Sequence, residues 1–222
     1  MAWFKKHPQP DFWMRYKNTF LGKQPNELSA IRFVLFDTET TGLNLNNDRI
    51  LSIGAVSFKD GVIKISDQFE CYLEQSVFNS QTVAIHGLVR TGKHHKMDEF
   101  EALERFLNYI KNAVLVAHHA AFDVGMINNV LKRHHLPKLK NTVLDTSFIY
   151  KKTKSQSVSD THYSLDYLIK EFHIPEHDRH TASGDAYITA LLFAKLLSLL
   201  KNKHPDLNLS HLKTQKKRIG LL

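Results

Sequence analysis

The chain is nearly devoid of cysteine: Cys71 stands alone among 222 residues. A lone thiol cannot close an internal disulfide, and thiolate zinc sites of the CxxC type are excluded with it. A reducing, cytoplasmic compartment is the expectation that follows. An N-terminal apolar core is also missing, since Met1 to Pro10 carries charge and proline; no signal peptide is expected. Long apolar runs are absent as well. The late stretch Ala190 to Leu200 contains Lys195 and is too short to span a bilayer, so no membrane partner is expected. There is no HExxH pattern, which leaves a zinc protease unsupported. Nor are there internal repeats, and the length suits one full-sized domain with short extensions.

Positive charge, by contrast, is in excess. Lysine and arginine number 30 against 22 acids, for a net charge of +8. This balance suits an anionic partner such as nucleic acid, although many basic proteins bind none. Histidines number 14, and most are expected on the surface or in loops.

Residues 1–30 form a distinct aromatic and basic extension. Phe12, Tyr16 and Phe20 follow an i, i+4 spacing that predicts a short helix. Such a helix either packs its rings on the main domain, the favoured reading, or serves as a docking arm. The spacing then predicts a first strand that runs from the apolar stretch 31–35 into Asp37 and Glu39, and further strands at 50–58 and 62–73, with Asp60-Gly61 as a hairpin turn. Residues 75–96 read as irregular with short helical pieces. A helix over 98–111, a buried strand over 113–117 and a helix over 121–135, stopped by Pro137, come next. A short strand at 142–144 ends at Asp145, and 151–161 reads as a polar loop. Ser164 caps a helix to 172, a long helix covers 182–200, and residues 204–222 form a basic tail. This order predicts an α/β fold: a mixed sheet with helices, its first three strands an antiparallel meander.

Two carboxylates close the first strand. Side chains alternate along a strand, so Phe33, Leu35, Asp37 and Glu39 share one face, and Val34, Phe36 and Thr38 share the other. Both faces are apolar, as in a strand covered on both sides. Ionised acids there are costly unless a cation compensates them, so the pair suggests a metal site. Gly42 permits a sharp exit from the strand. Asp123 falls in the first turn of its helix, on one stripe with Ile127, Val130 and Leu131. It either faces the core near a strand end or merely complements the helix dipole. Asp185 opens the last long helix, where Ala182, Ala186 and Ala190 allow close approach to another element. His180 precedes it by five positions, and five helical residues would turn the two apart. If they act together, His180 belongs to the entering loop; by itself it reads as an exposed loop histidine. Asp145 reads as a cap of the turn that follows it.

Taken together, these segments resemble the motifs of the DEDDh 3′–5′ exonucleases, the family of the DNA polymerase III proofreading epsilon subunit, ribonuclease T and oligoribonuclease. Phe36-Asp37-Thr38-Glu39-Thr40-Thr41-Gly42-Leu43 resembles the first motif. His118-His119-Ala120-Ala121-Phe122-Asp123 resembles the second, and His180-Thr181-Ala182-Ser183-Gly184-Asp185 the third. The resemblance covers residues 31 to about 200 and implies a ribonuclease H-like fold, with the exonuclease domain at 31–203. It implies that Asp37, Glu39, Asp123 and Asp185 hold two divalent cations, Mg²⁺ or Mn²⁺, and that His180 deprotonates the attacking water. Hard oxygen ligands suit those ions. Two of them about 3.5–4 Å apart can stabilise the attacking and leaving oxygens of an in-line displacement. Histidine titrates near neutrality, as such a base should. Thr40, Thr41, Gly42 and Leu43 correspond to the segment beside the terminal nucleotide. Ile85-His86-Gly87-Leu88 resembles a second such segment, and His118 and Phe122 are further expected substrate contacts. Ser164-Leu165-Asp166-Tyr167-Leu168 resembles the family's Ser-Leu-x-x-Leu helix. Two positions depart from the pattern: His119 stands where Asn is usual, and Thr181 where Arg is frequent.

The expected activity is metal-dependent removal of nucleoside 5′-monophosphates from a 3′ end. DNA, in proofreading or repair trimming and probed as a single strand, is the first choice, because the first motif and the Ile-His-Gly segment are most epsilon-like. RNA trimming is the alternative. A non-catalytic nucleic-acid or polymerase-binding module on the same fold would suit the basic tail and aromatic arm, but all four acids are kept. A polymerase or clamp partner through the termini is a further expectation.

Overall fold

The computed structural model describes residues 9–76, 87, 94–154 and 163–213. Its centre is a six-stranded sheet in the order β4-β3-β2-β1-β5-β6. The strands are β1 (Phe33–Thr40), β2 (Ile50–Lys59), β3 (Val62–Leu73), β4 (Lys96–Met97), β5 (Val114–Ala117) and β6 (Val143–Asp145). β1, β2 and β3 pair antiparallel, as the meander reading expects. β1, β5 and β6 run parallel to one another, and so do β3 and β4. The hairpin between β2 and β3 turns at Asp60 and Gly61, both at positive φ (51° and 75°), a conformation that Asp tolerates and Gly adopts freely.

β1 is covered on both faces, and its alternation sorts the two cores. Val34 and Phe36 enter one cluster, with Ile53, Ala55, Leu115 and Phe106; Phe33 and Leu35 enter the other, with Val56, Val116, Ile188 and Phe193. The first cluster is roofed by α1 (Asp11–Asn18), α2 (Glu99–Ile110) and α3 (Ala121–Arg133). The second is roofed by α4 (Thr146–Thr153), α5 (Leu165–Phe172), α6 (Ala182–Lys203) and the short α7 (Leu209–Leu212).

Caps set the helix starts where the sequence allowed them. Asp98 accepts from the Glu101 N–H at the head of α2, and Ser164 from the Tyr167 N–H at the head of α5. Asp145 accepts from the Ser147 N–H at 2.8 Å and, with its other oxygen, from the Ala120 N–H at 2.9 Å. It is a structural cap, as expected. That cap launches α4, a helix that the Lys- and Thr-rich composition of 151–161 conceals. Thr146, Ile149 and Tyr150 are buried, while Lys151 and Lys152 form its last turn. Residues 155–161, the rest of the expected loop, lie outside the described residues.

The described parts of both termini are woven into the domain. Phe12, Trp13 and Tyr16 of α1 are buried in the first core, and Phe12 meets Phe100 edge-on at 5.1 Å. The Tyr16 hydroxyl donates to Asn141 Oδ1 at 2.6 Å and accepts from the Lys140 N–H at 2.8 Å. The C-terminal segment, read as tail from residue 204, instead begins with α7, whose Leu209 and Leu212 are buried. A backbone bridge joins Glu27 to Asn208, tying the two ends together.

α6 is longer than the apolar run suggested. By length and composition its 22 residues could cross a membrane, but its apolar side is the second core. Ile188, Leu192, Phe193 and Leu196 lie fully buried in that cluster.

The Tyr16 contact offers a direct test of α1 docking. Tyr16→Phe leaves buried Asn141 Oδ1 and the Lys140 N–H short of a partner. It should destabilise the fold by about 1–3 kcal/mol in urea titration; an unchanged midpoint would mean the rings alone hold the helix.

Candidate active site

The acids gather where β1 leaves the sheet. Asp37 and Glu39 point to the α6 side by strand alternation, opposite Gly54 and Ser52 on β2. Gly54 is what lets α6 come down on that row. A Cβ there would lie 2.2 Å from the carbonyl carbon of Ala182, closer than any real contact. The head of α6 is then fixed by three bonds. Thr181 caps it, accepting from the Gly184 N–H at 3.1 Å, and its hydroxyl donates to the Asp178 carbonyl at 2.7 Å. Ser183 donates to Glu70 on β3 at 2.5 Å. Thr181, one of the two departures from the family pattern, is therefore the helix cap.

This docking carries Asp185 to the strand pair. One carboxylate oxygen each from Asp37, Glu39 and Asp185 lie within 4.8 Å of one another. Asp123 arrives from the opposite face of the sheet, on α3. Thr38, which points that way between the two acids of β1, gives Asp123 Oδ1 two bonds, from its N–H at 3.0 Å and its hydroxyl at 2.7 Å. Asp123 thus faces the core beside its expected neighbours Ile127, Val130 and Leu131, all buried.

The cluster is short of positive charge. Burial and then the neighbouring acids Asp123, Asp185 and Glu39 push Asp37 well above the usual carboxylate range. Burial, followed by Asp185, raises Glu39 to about 7. Burial also raises Asp123 to about 7 against the pull of the Thr38 bonds. Asp185 is raised by burial, with Arg179 foremost in opposing it. Arg179 Nη1 donates to Asp185 Oδ2, while Nε and Nη2 donate to Asp166 Oδ1 at 3.0 and 2.8 Å. Asp185 Oδ1 is buried and without a hydrogen-bond partner among the described residues. Converging hard oxygens, one orphaned and all belonging to carboxyls raised chiefly by burial, fit a divalent cation such as Mg²⁺ or Mn²⁺.

His180 lies exposed in the turn entering α6, not on the helix, at φ 66°. This is the placement that joint action with Asp185 requires. The other expected contacts divide. Leu43 is 85 % exposed and Phe122 half-buried, so both have surface to offer. The Thr40 hydroxyl donates to the Gly42 carbonyl, and the Thr41 hydroxyl to Asp48 Oδ1, both within their own loop. Gly42 is required for space rather than for a turn, since its φ is not left-handed and a Cβ would sit 2.6 Å from Asp48 Oδ2. Both ring nitrogens of His118 are engaged, with Thr146 Oγ1 and the Tyr163 carbonyl, each at 2.9 Å. Burial lowers its pKa to about 4, and His118 serves as a brace between β5 and the α4–α5 layer. His119, the second departure, stands at φ 58°, a conformation Asn adopts more readily than His. His86 lies outside the described residues.

Three residues of the site went unnoticed in the sequence. Thr38 holds Asp123, and its place between the two acids was the available signal. Gly54 admits α6, and a glycine inside a strand was the signal for close backbone approach. Arg179 carried none.

Comparison with known proteins agrees with this geometry. The RNase T exonuclease family model matches residues 34–193. The DNA polymerase III PolC-type protein of Caldanaerobacter subterraneus subsp. tengcongensis is 37% identical over 174 residues, 76% of this chain and 12% of that protein. The chain therefore spans about an eighth of the length of such relatives. Among solved structures, E. coli exonuclease I in complex with a dT13 oligonucleotide aligns with a TM-score of 0.63 at 16% identity, over 79% of this chain and 42% of that one. Exonuclease X in complex with 5′-overhanging duplex DNA aligns with a TM-score of 0.56 at 24% identity, over 79% and 93%. Both share the mixed-sheet, ribonuclease H-like fold.

The raised carboxylates have a stability consequence. A carboxyl whose folded pKa exceeds its unfolded value costs nothing below the unfolded pKa and costs progressively more as pH rises toward the folded one. In EDTA, the melting temperature should therefore fall between roughly pH 4.5 and 7, the window between ordinary carboxylate values and those of Glu39 and Asp123. Asp37→Asn should flatten that fall in a thermal melt series. An identical slope in the variant would mean the acids are not mutually strained.

Proposed function

We propose a reaction for this chain on the premise that it belongs to the RNase T family of exonucleases. It removes nucleoside 5′-monophosphates one at a time from the 3′ end of a nucleic acid strand. The single observation that carries this reading is the convergence of Asp37, Glu39 and Asp185, whose oxygens lie within 4.8 Å, beside the buried Asp123 and the exposed His180. Proofreading or repair trimming of DNA is the reading we favour. It is supported by the 37% identity to a protein named as a DNA polymerase. A polymerase or clamp partner and a cytoplasmic location belong to the same proposal.

When bound, two Mg²⁺ or Mn²⁺ ions would supply Lewis-acid stabilisation of the attacking and leaving oxygens. The protein's own residues do the rest. Asp37 and Glu39, on the end of β1, and Asp185, on the head of α6, would hold the cations. Asp123 would complete the ligand set, its position set by Thr38. His180 stands in the solvent-accessible turn beside them and takes a proton from the attacking water on an imidazole nitrogen. Exposure suits this role, since the water and the departing proton must both reach bulk solvent. Leu43, exposed on the loop after β1, and Phe122, half-buried on α3, offer apolar surface to the terminal base.

The test is a time course with purified protein, Mg²⁺ and matched 5′-labelled single-stranded DNA and RNA. Labelled products should shorten stepwise from the unlabelled 3′ end, and EDTA should abolish the reaction. His180→Ala should lose about 10²–10⁴-fold in rate, the usual worth of a positioned general base. Asp37→Ala should lose more, because it removes a cation ligand. Faster shortening of RNA than DNA would transfer the proposal to RNA end-trimming. No shortening of either, with Asp37→Ala indistinguishable from wild type, would refute it.

A further inference from the structure

Arg179 is placed where the cations of the proposed reaction would act. Its guanidinium spans two carboxylates of opposite character. Asp166, in the first turn of α5, has a side chain 59% exposed, and Asp185 on α6 has one 7% exposed. Nε and Nη2 both bond to Asp166 Oδ1, at 3.0 and 2.8 Å, and Nη1 bonds to Asp185 Oδ2. The guanidinium is planar and its donors are fixed in a fork, so one orientation serves both acids. The two bonds differ in what their loss would leave behind. Asp166 released is a surface carboxylate in water. Asp185 released is a buried anion beside Asp37 and Glu39, which is expensive unless another cation takes its place.

We propose that Arg179 is an exchangeable counter-ion. It neutralises Asp185 in the metal-free protein and yields that carboxylate when a divalent cation is bound, while Asp166 keeps its guanidinium at the mouth of the site. The inference rests on the metal-site reading above. Three features of the geometry support it. Asp185 presents its second oxygen, Oδ1, unbonded, so the carboxylate is only half committed to Arg179. The tether to Asp166 uses two of the three bonding N–H groups and none of the acids of the cluster. Arg179 also lies in the turn between Ile174 and α6, next to His180 at φ 66°, outside regular structure and able to shift without unpacking the helix. Metal and guanidinium then compete for one carboxylate, and each lowers the affinity of the other.

Calcium, a hard divalent ion with the same oxygen ligands, is the probe, titrated by calorimetry into wild type, Arg179→Gln and Asp166→Asn. Arg179→Gln should bind Ca²⁺ at least about fivefold more tightly, the lower end of ordinary coupling between two ligands. Asp166→Asn, which removes the acid that keeps the guanidinium once Asp185 is yielded, should instead bind Ca²⁺ more weakly than wild type. A crystal structure of the Ca²⁺-loaded wild type reports the movement itself: Nη1 beyond hydrogen-bonding distance of Asp185, with Nε still on Asp166. Nη1 still bonded to Asp185 in that crystal overturns the exchange, as does equal affinity in all three proteins. If Arg179→Gln fails to fold, Asp166→Asn and the crystal decide alone. Folded wild type that binds no Ca²⁺ overturns the metal site, and the exchange with it.

Discussion

The site depends on one backbone contact. Gly54 on β2 lies so close to the head of α6 that a methyl group there would sit 2.2 Å from the Ala182 carbonyl carbon. In register, Gly54 faces Asp37 on one side and Glu70 on the other. The helix therefore descends onto a row of side chains that runs across three strands. At one end of that row Ser183 bonds Glu70, and at the other Asp185 joins Asp37 and Glu39. Any residue larger than glycine would lift the helix and separate Asp185 from the two acids of β1, which strand geometry alone cannot bring to it. Small residues on α6, Ala182, Ala186 and Ala190, are the other half of the same fit, all buried.

Close approach has an electrostatic cost. Three carboxylates of one cluster and a fourth beside it are each raised above their ordinary range, with burial the foremost cause. A fold that needed only stability would replace such acids with apolar side chains of similar size. Keeping them unprotonated at neutral pH demands positive charge. Within the protein, Arg179 bonded to Asp185 supplies one such charge. A cluster left partly uncompensated in this way suits a divalent cation.

Much of this was legible from local pattern. The alternation of β1 assigned Asp37 and Glu39 to one face and Thr38 to the other, and the structure keeps that division. Helical spacing placed Asp123 on the stripe of Ile127 and Leu131, and the five-residue offset from Asp185 placed His180 in the loop. These readings succeeded because each depends on periodicity within one element. What escaped depends on partners distant in the chain. Arg179 has meaning only beside Asp166 and Asp185, which come from two different helices. The burial of α4 behind its lysines, and of α7 in a tail expected to be polar, was hidden for the same reason: composition describes a segment, whereas burial is decided by what packs on it. His118 shows the same dependence on distant partners: Thr146 and the Tyr163 carbonyl hold its ring from two later segments.

The acids at the C-terminal edge of the parallel strands can now be separated by a physical criterion rather than by motif. Asp145 follows β6 and accepts backbone N–H bonds from Ala120 and Ser147, one on each oxygen. Its charge is used up in joining α3 to α4. Asp123 stands between the two kinds: Oδ1 takes both Thr38 bonds, which orient it, yet burial still holds it near 7. Asp185 lies at the other extreme, with one oxygen on the Arg179 side chain and the other without a hydrogen-bond partner among the described residues. A carboxylate satisfied by backbone donors is part of the scaffold, because those donors cannot leave. One satisfied by a side chain that can swing away, or left unsatisfied, is held ready for a ligand. By that measure Asp185 is the acid least committed to the scaffold, and Asp123, held by its two Thr38 bonds, is fixed more firmly.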